Sequence, residues 1–293
     1  SPIIQRLGEE WTHPATPNPL LAPPLPHSPT PKRRSKYNRI TKHPSTTLLQ
    51  ISRYTHPTHE RIDPFLYPPW RRLQSSFAYR IRTHAHKEVG TDAKKKAANA
   101  HMQQIQQLHQ DPANLVLYTD GSMINKSGFK RVGASVIMYH QGRVVATRAM
   151  GLGGHAEVYD GEMAALAIAV SMARSFISNH REIRHLHFFT DNTSALTSIF
   201  DPKPSGGQSF AHTFHTTATA FLDAAPQHRI TISWCPSHQG IPGNERADRL
   251  AKHATNLASA LPHGTTRANA IRRAKLATLK EWTKEWKNEA KTG

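Results

Sequence analysis

The chain is poor in three things. It has one cysteine, Cys235, in 293 residues. That excludes an internal disulfide framework and a cysteine-based zinc site. It is short of acid: 20 Asp and Glu face 38 Lys and Arg, a formal net charge of +18. It also lacks an apolar run of membrane-spanning length. The longest, around Met163 to Ala173, is about half of the roughly 20 residues a transmembrane helix needs. The first residues, Ser-Pro-Ile-Ile-Gln-Arg, hold no signal-peptide core and no initiator Met. The expectations are a nuclear or cytoplasmic protein, not secreted and without a membrane partner, and a piece of a longer product.

The basic excess is uneven. Residues 1–113 hold 17 Lys and Arg against 7 acids, residues 114–258 hold 13 against 10, and residues 259–293 hold 8 against 3. A near-neutral middle with basic flanks points to a polyanionic partner, nucleic acid before an anionic surface. The 20 histidines are scattered and show no HExxH spacing.

Fourteen of the 21 prolines lie in residues 1–69. Runs such as Pro23-Pro24-Leu25-Pro26 cannot be helix interiors or central strands and read as solvated linker. Pro31-Lys-Arg-Arg-Ser-Lys36 is a basic cluster that suits import, phosphate contact or plain solvation. Trp70, Phe77 and Tyr79 are candidates to pack on the next domain. Ala98, Met102, Ile105 and Leu108 fall at helical spacing in residues 94–109. The expected organisation is a Pro-rich basic connector with a terminal helix over 1–110, a central domain over 111–258, and a basic helical tail over 259–293. In that tail Leu276, Leu279, Trp282 and Trp286 are three and four apart.

Within the central domain, residues 115–120, 131–140, 143–150, 185–191 and 229–235 read as strands. Gln141-Gly142 marks a hairpin between the second and third. Residues 156–177, apolar on much of the surface, read as a helix lying on the sheet. Residues 192–200, 208–223 and 243–257 read as further helices. Hairpin-linked strands followed by crossover units predict a mixed α/β fold with five strands and helices packed on the sheet.

Two apolar runs end in an acid: Leu115-Val-Leu-Tyr-Thr-Asp120 and His185-Leu-His-Phe-Phe-Thr-Asp191. Asp120 followed by Gly121 would alone be an ordinary turn pair. Glu162, read in the first turn of the long helix, competes with Glu157 and Asp160. Asp248 follows a loop punctuated by Gly240, Pro242 and Gly243 and sits in the first turns of a helix. Four acids brought together repel unless cations are bound. Carboxylate oxygens suit Mg²⁺, with Mn²⁺ able to substitute.

Four segments carry a specific resemblance. They are Tyr118-Thr-Asp-Gly-Ser122, Asp160-Gly-Glu-Met-Ala-Ala-Leu166, Phe189-Thr-Asp-Asn-Thr-Ser-Ala-Leu196 and Ser237-His-Gln-Gly-Ile-Pro-Gly-Asn-Glu-Arg-Ala-Asp248. In this order they resemble the acidic motifs of type 1 ribonucleases H, most of all those ending the reverse transcriptases of non-LTR retrotransposons. The resemblance covers about 114–257. It implies a ribonuclease H-like sheet with helices on both faces. It also implies an endonuclease that cuts the RNA strand of RNA–DNA hybrids with two Mg²⁺ ions and no small-molecule cofactor.

The resemblance makes Asp120, Glu162, Asp191 and Asp248 the metal ligands and His238 a proton shuttle or aid to product release. Gly121, Ser122, Asn192 and Asn244 would meet nucleic acid. The 2′-hydroxyl, both donor and acceptor, is what separates RNA from DNA. Residues 201–228 do not form the basic handle that some members carry. One rival is a weak or inactive nucleic-acid-binding retroelement remnant. The other, a strand-transfer enzyme on the same fold, uses its acids in a different order.

Overall fold

The computed structural model describes residues 59–67, 77, 79–126 and 128–289. The proline runs before residue 58, the basic cluster at 31–36 and Trp70 lie outside the described residues. The elements are β1 (Ile81–His84), α1 (Thr91–Gln110), β2 (Asn114–Lys126), β3 (Phe129–His140), β4 (Arg143–Gly153), α2 (Val158–Ile177), β5 (His185–Thr190), α3 (Thr193–Ser198), α4 (Gln208–Ala224), β6 (Arg229–Trp234), α5 (Pro242–Ala254) and α6 (Arg267–Glu289).

The sheet has the order β1-β6-β5-β2-β3-β4. β2, β3 and β4 are antiparallel neighbours, while β2, β5, β6 and β1 run parallel. The hairpin turn at Gln141-Gly142 has positive φ at both positions, 50° and 73°, as a two-residue type I′ turn requires. Helices cover both faces. Leu115 and Leu117 of β2 point into one core with Met163 and Leu166 of α2 and Phe214 of α4. Val116 and Tyr118 point into the other with Ala98 and Ile105 of α1, Ile241 at the N-cap of α5 and Ala247 within it. The strict alternation is the period-two geometry of a strand buried on both sides.

Among the described residues the sheet has six strands, not the five read from the sequence. The extra one is β1, a four-residue edge strand with mostly exposed side chains. So short and polar a segment carries no alternation to read; it is recruited by the free edge of β6, with Ile81 opposite Ile230. Arg80 fixes it in place. Its guanidinium donates to the carbonyls of Leu222 and Ala225 at 2.6 and 2.9 Å, groups that the end of α4 leaves without helical partners. Phe77 packs into the core, as expected, but Tyr79 is 90% exposed. Glu60 accepts from the amides of Gly207 and Arg267, so packing continues on both sides of residues 111–258. Among the described residues no helix is long and apolar enough to cross a membrane.

Candidate active site

The site lies where the parallel strands end. Pairing of β2 with β5 stops at Tyr118 opposite Phe189. Asp120 and Asp191 therefore lie just past the last rungs of two neighbouring strands. β2 itself does not end at Asp120, as the sequence suggested; it runs on to Lys126 against β3, with Asp120 opposite Ser135. The antiparallel hairpin supplies the partners that the parallel neighbour no longer does.

Glu162 comes from α2, in the second turn and not the first. Its competitors have other work. Glu157 is the N-cap of a capping box closed by Asp160 and pairs with Lys130 and Arg272. Asp160 also accepts from the Thr266 hydroxyl at 2.6 Å. The helix reaches the sheet because Gly121 has no side chain: a Cβ there would lie 2.4 Å from the Glu162 nitrogen.

Ligand oxygens of Asp120, Glu162 and Asp191 all lie within 4.8 Å of one another. Burial and the charges of Asp191 and Asp248 push Asp120 up to about 7. Burial, then Asp120 and Asp191, raise Glu162 well above the carboxylate range. Burial raises Asp191 as well, with Asp248 adding to it and His238 and Lys87 opposing. Glu162 Oε2 is buried without a hydrogen-bond partner. Crowded, desolvated carboxylates with an orphaned oxygen are the donor set of a hard divalent cation.

Asp248 stands beside this trio and is grouped with His238 and Glu245, whose ligand atoms also lie within 4.8 Å of one another. It accepts from Lys252 at 2.7 Å, one turn along α5. Neither Glu245 nor Lys252 was singled out from the sequence. Their signal was the spacing: three residues before and four after Asp248, on one helix face. His238 is exposed, and its backbone is left-handed at φ 56°.

The expected nucleic-acid residues divide. Ser122 is half-buried at the rim. Gly121 is buried, and its amide stands close to the carboxylates of Asp120 and Glu162 and opposes their upward shifts. Asn192 caps α3 by accepting from the Ala195 amide at 3.0 Å, and its side chain stands beside Glu162 and opposes its upward shift. Asn244 is 3% exposed, with a buried, unpartnered Oδ1. No basic handle emerges from 201–228; the segment leads into α4, whose Phe210, Phe214 and Phe221 fill the core.

Residues 112–256 match the family model described as RNase H. These residues are an RNase H domain. The domain is thus a ribonuclease H, a phosphodiester hydrolase. Among solved structures, the chain is similar to LC11-RNase H1, isolated from compost by a metagenomic approach (16% identity, 49% of this chain and 96% of that one, TM-score 0.38). It is also similar to RNase H1 of Halobacterium salinarum NRC-1 (19% identity, 48% and 96%, TM-score 0.35). A third is the prototype foamy virus protease-reverse transcriptase (21% identity, 50% and 21%, TM-score 0.37). The search of curated proteins found no match. The RNase H assignment stands on the family match.

Proposed function

We propose that the RNase H domain hydrolyses the RNA strand of RNA–DNA hybrids endonucleolytically, leaving a 3′-hydroxyl and a 5′-phosphate. The observation that carries this reading is the convergence of Asp120, Glu162 and Asp191, with Asp248 alongside. Two Mg²⁺ ions, or Mn²⁺, held by these four carboxylates would supply an activated water and stabilise the leaving oxygen. The chain's own groups do the rest. Gly121 lets α2 come close enough to β2 to bring Glu162 into the site, and Asn192 stands beside it. Exposed His238 beside Asp191 is placed to move protons to and from solvent. The motif spelling from Ser237 to Asp248 supports a setting in a retrotransposon reverse-transcriptase polyprotein.

The test is cleavage of a labelled hybrid with and without Mg²⁺, beside single-stranded RNA, duplex RNA and duplex DNA. The expected result is Mg²⁺-dependent cleavage confined to the RNA of the hybrid. An inert protein in Mg²⁺ and in Mn²⁺ would sink the reading.

His238 gives a finer prediction. Alanine would strain a left-handed backbone, whereas asparagine tolerates it and cannot carry protons. His238→Asn is expected to lower kcat by about 10²-fold, the low end of general acid–base help, with KM little changed. Excess Mg²⁺ does not rescue it, because His238 is not proposed as a ligand of the catalytic ions. A raised KM at unchanged kcat would remove His238 from the chemical and release steps.

A further inference from the structure

The chain topology brings a basic surface to the catalytic edge from outside the family-matched residues. β1 runs parallel to β6, with His84 opposite Ser233. Ser233 is itself opposite Phe189, which is opposite Tyr118. Four parallel strands therefore end level, and Ala85 to Gly90 emerge on the same edge as Asp120 and Asp191. Lys87 lies in this loop and is exposed.

α1 then runs back down the sheet. Near its end His109 packs on Tyr139, beside the β3–β4 turn. Further up, His101 meets Tyr118 at 2.8 Å and stacks edge-on against Phe189. Asp120 is two residues past Tyr118, roughly 7 Å along the strand. Lys96 is five residues before His101, roughly 7.5 Å along the helix in the same direction. Lys94, Lys95 and Lys96 thus stand at the height of the carboxylates, on the face shared with α5 and the His238 loop. Lys87, Lys95 and Lys96 are exposed and Lys94 is half-buried. Among the described residues none of the four pairs with a carboxylate in a salt bridge. Unpaired cations beside a site that cuts a polyanion have an evident partner in its phosphates.

We propose that Lys87 and Lys94 to Lys96 form a phosphate-binding surface that grips the backbone of the duplex entering the site, in place of the basic handle that residues 201–228 lack. The inference rests on the proposed hybrid substrate. The surface contacts phosphates and takes no part in bond cleavage.

The test uses the full chain with three charges removed in two places. One variant is Lys94→Gln/Lys95→Gln/Lys96→Gln. The control is Arg143→Gln/Arg181→Gln/Arg184→Gln, all exposed residues at the opposite end of the sheet. Binding of a fluorescein-labelled RNA–DNA hybrid is titrated in EDTA at several salt concentrations, so that no cleavage intervenes. The lysine variant is expected to bind about tenfold more weakly, with a log Kd–log salt slope shallower by about 0.9 for each lost phosphate contact. The arginine control keeps the wild-type slope. Lys87→Gln alone shows a smaller change of the same sign. In Mg²⁺ the lysine variant has a raised KM and unchanged kcat. A wild-type slope in the lysine variant, or an equal loss in the control, overturns the proposal. If the wild type binds hybrid but cuts nothing, the nuclease reading fails while the binding arm still decides this one.

Discussion

Asp120→Asn is expected to abolish hybrid cleavage and, at the same time, to raise the melting temperature of the metal-free protein at pH 8. Both effects follow from one geometry. Asp120, Glu162 and Asp191 share a buried space within 4.8 Å, and burial with mutual repulsion lifts Asp120 to about 7. A carboxyl whose folded pKa lies above its unfolded value favours the fold in its neutral form. Its contribution is fully present below the ordinary carboxylate range and is lost as pH rises through the folded pKa, about 7 here. The metal-free wild type is therefore destabilised between about pH 4 and pH 8 by these groups. Asparagine removes that loss and relieves its two neighbours.

Mg²⁺ reverses the order of the two proteins. It is expected to raise the melting temperature of the wild type at pH 8 more than at pH 5, and to do little for Asp120→Asn. Losing several kcal/mol of charge stabilisation corresponds to a fall in rate of roughly 10³-fold or more. Glu162→Gln and Asp191→Asn should match that fall while hybrid binding persists. Asp248→Asn should be mildest, because it stands outside the trio and already shares charge with Lys252. Near wild-type turnover in Asp120→Asn, or a melting temperature indifferent to Mg²⁺ at pH 8, would remove the metal site.

Gly121→Ala is expected to be as damaging to activity as the loss of a carboxylate, without touching one. The added Cβ would lie 2.4 Å from the Glu162 nitrogen and 2.7 Å from the Gly161 carbonyl carbon. Both are backbone atoms of α2, so no side chain can swing away. The helix must move off the strand and carry Glu162 with it. Overpacking of this kind costs typically about 1–3 kcal/mol, read from denaturant midpoints. Metal affinity should fall as well, since one ligand leaves the shared space. The contrast with Asp120→Asn is diagnostic: Gly121→Ala loses stability and activity together, whereas Asp120→Asn gains one and loses the other. Wild-type activity in Gly121→Ala would show that α2 does not approach β2 this closely.

Much of this was legible in the residues. The continuous apolar run Leu115–Tyr118 marked a strand buried on both faces, and Gln141-Gly142 marked the hairpin between the next two strands. The four acids stood in recognisable settings, and the fold gathers three of them with Asp248 alongside. What escaped was what local pattern does not encode. β1 has too few apolar residues to announce itself and exists because β6 offers an open edge. Asp120 looked like a strand end because its apolar run stops there; the continuing partner, β3, is remote in sequence. The close approach of Gly121 to Glu162 is likewise absent from local pattern, because the two meet only when α2 packs on β2.

The sequence by itself determined the strand and helix periods, the family of acidic motifs and the basic flanks, because each is written in nearest neighbours and spacing. Only the tertiary structure decided which charges are buried together, which capping box occupies Glu157 and Asp160, and that Lys87 and Lys94 to Lys96 stand at the catalytic edge. Those facts depend on strand order and on the direction of α1 across the sheet. Burial and charge proximity are properties of position in space, and chain distance does not set them.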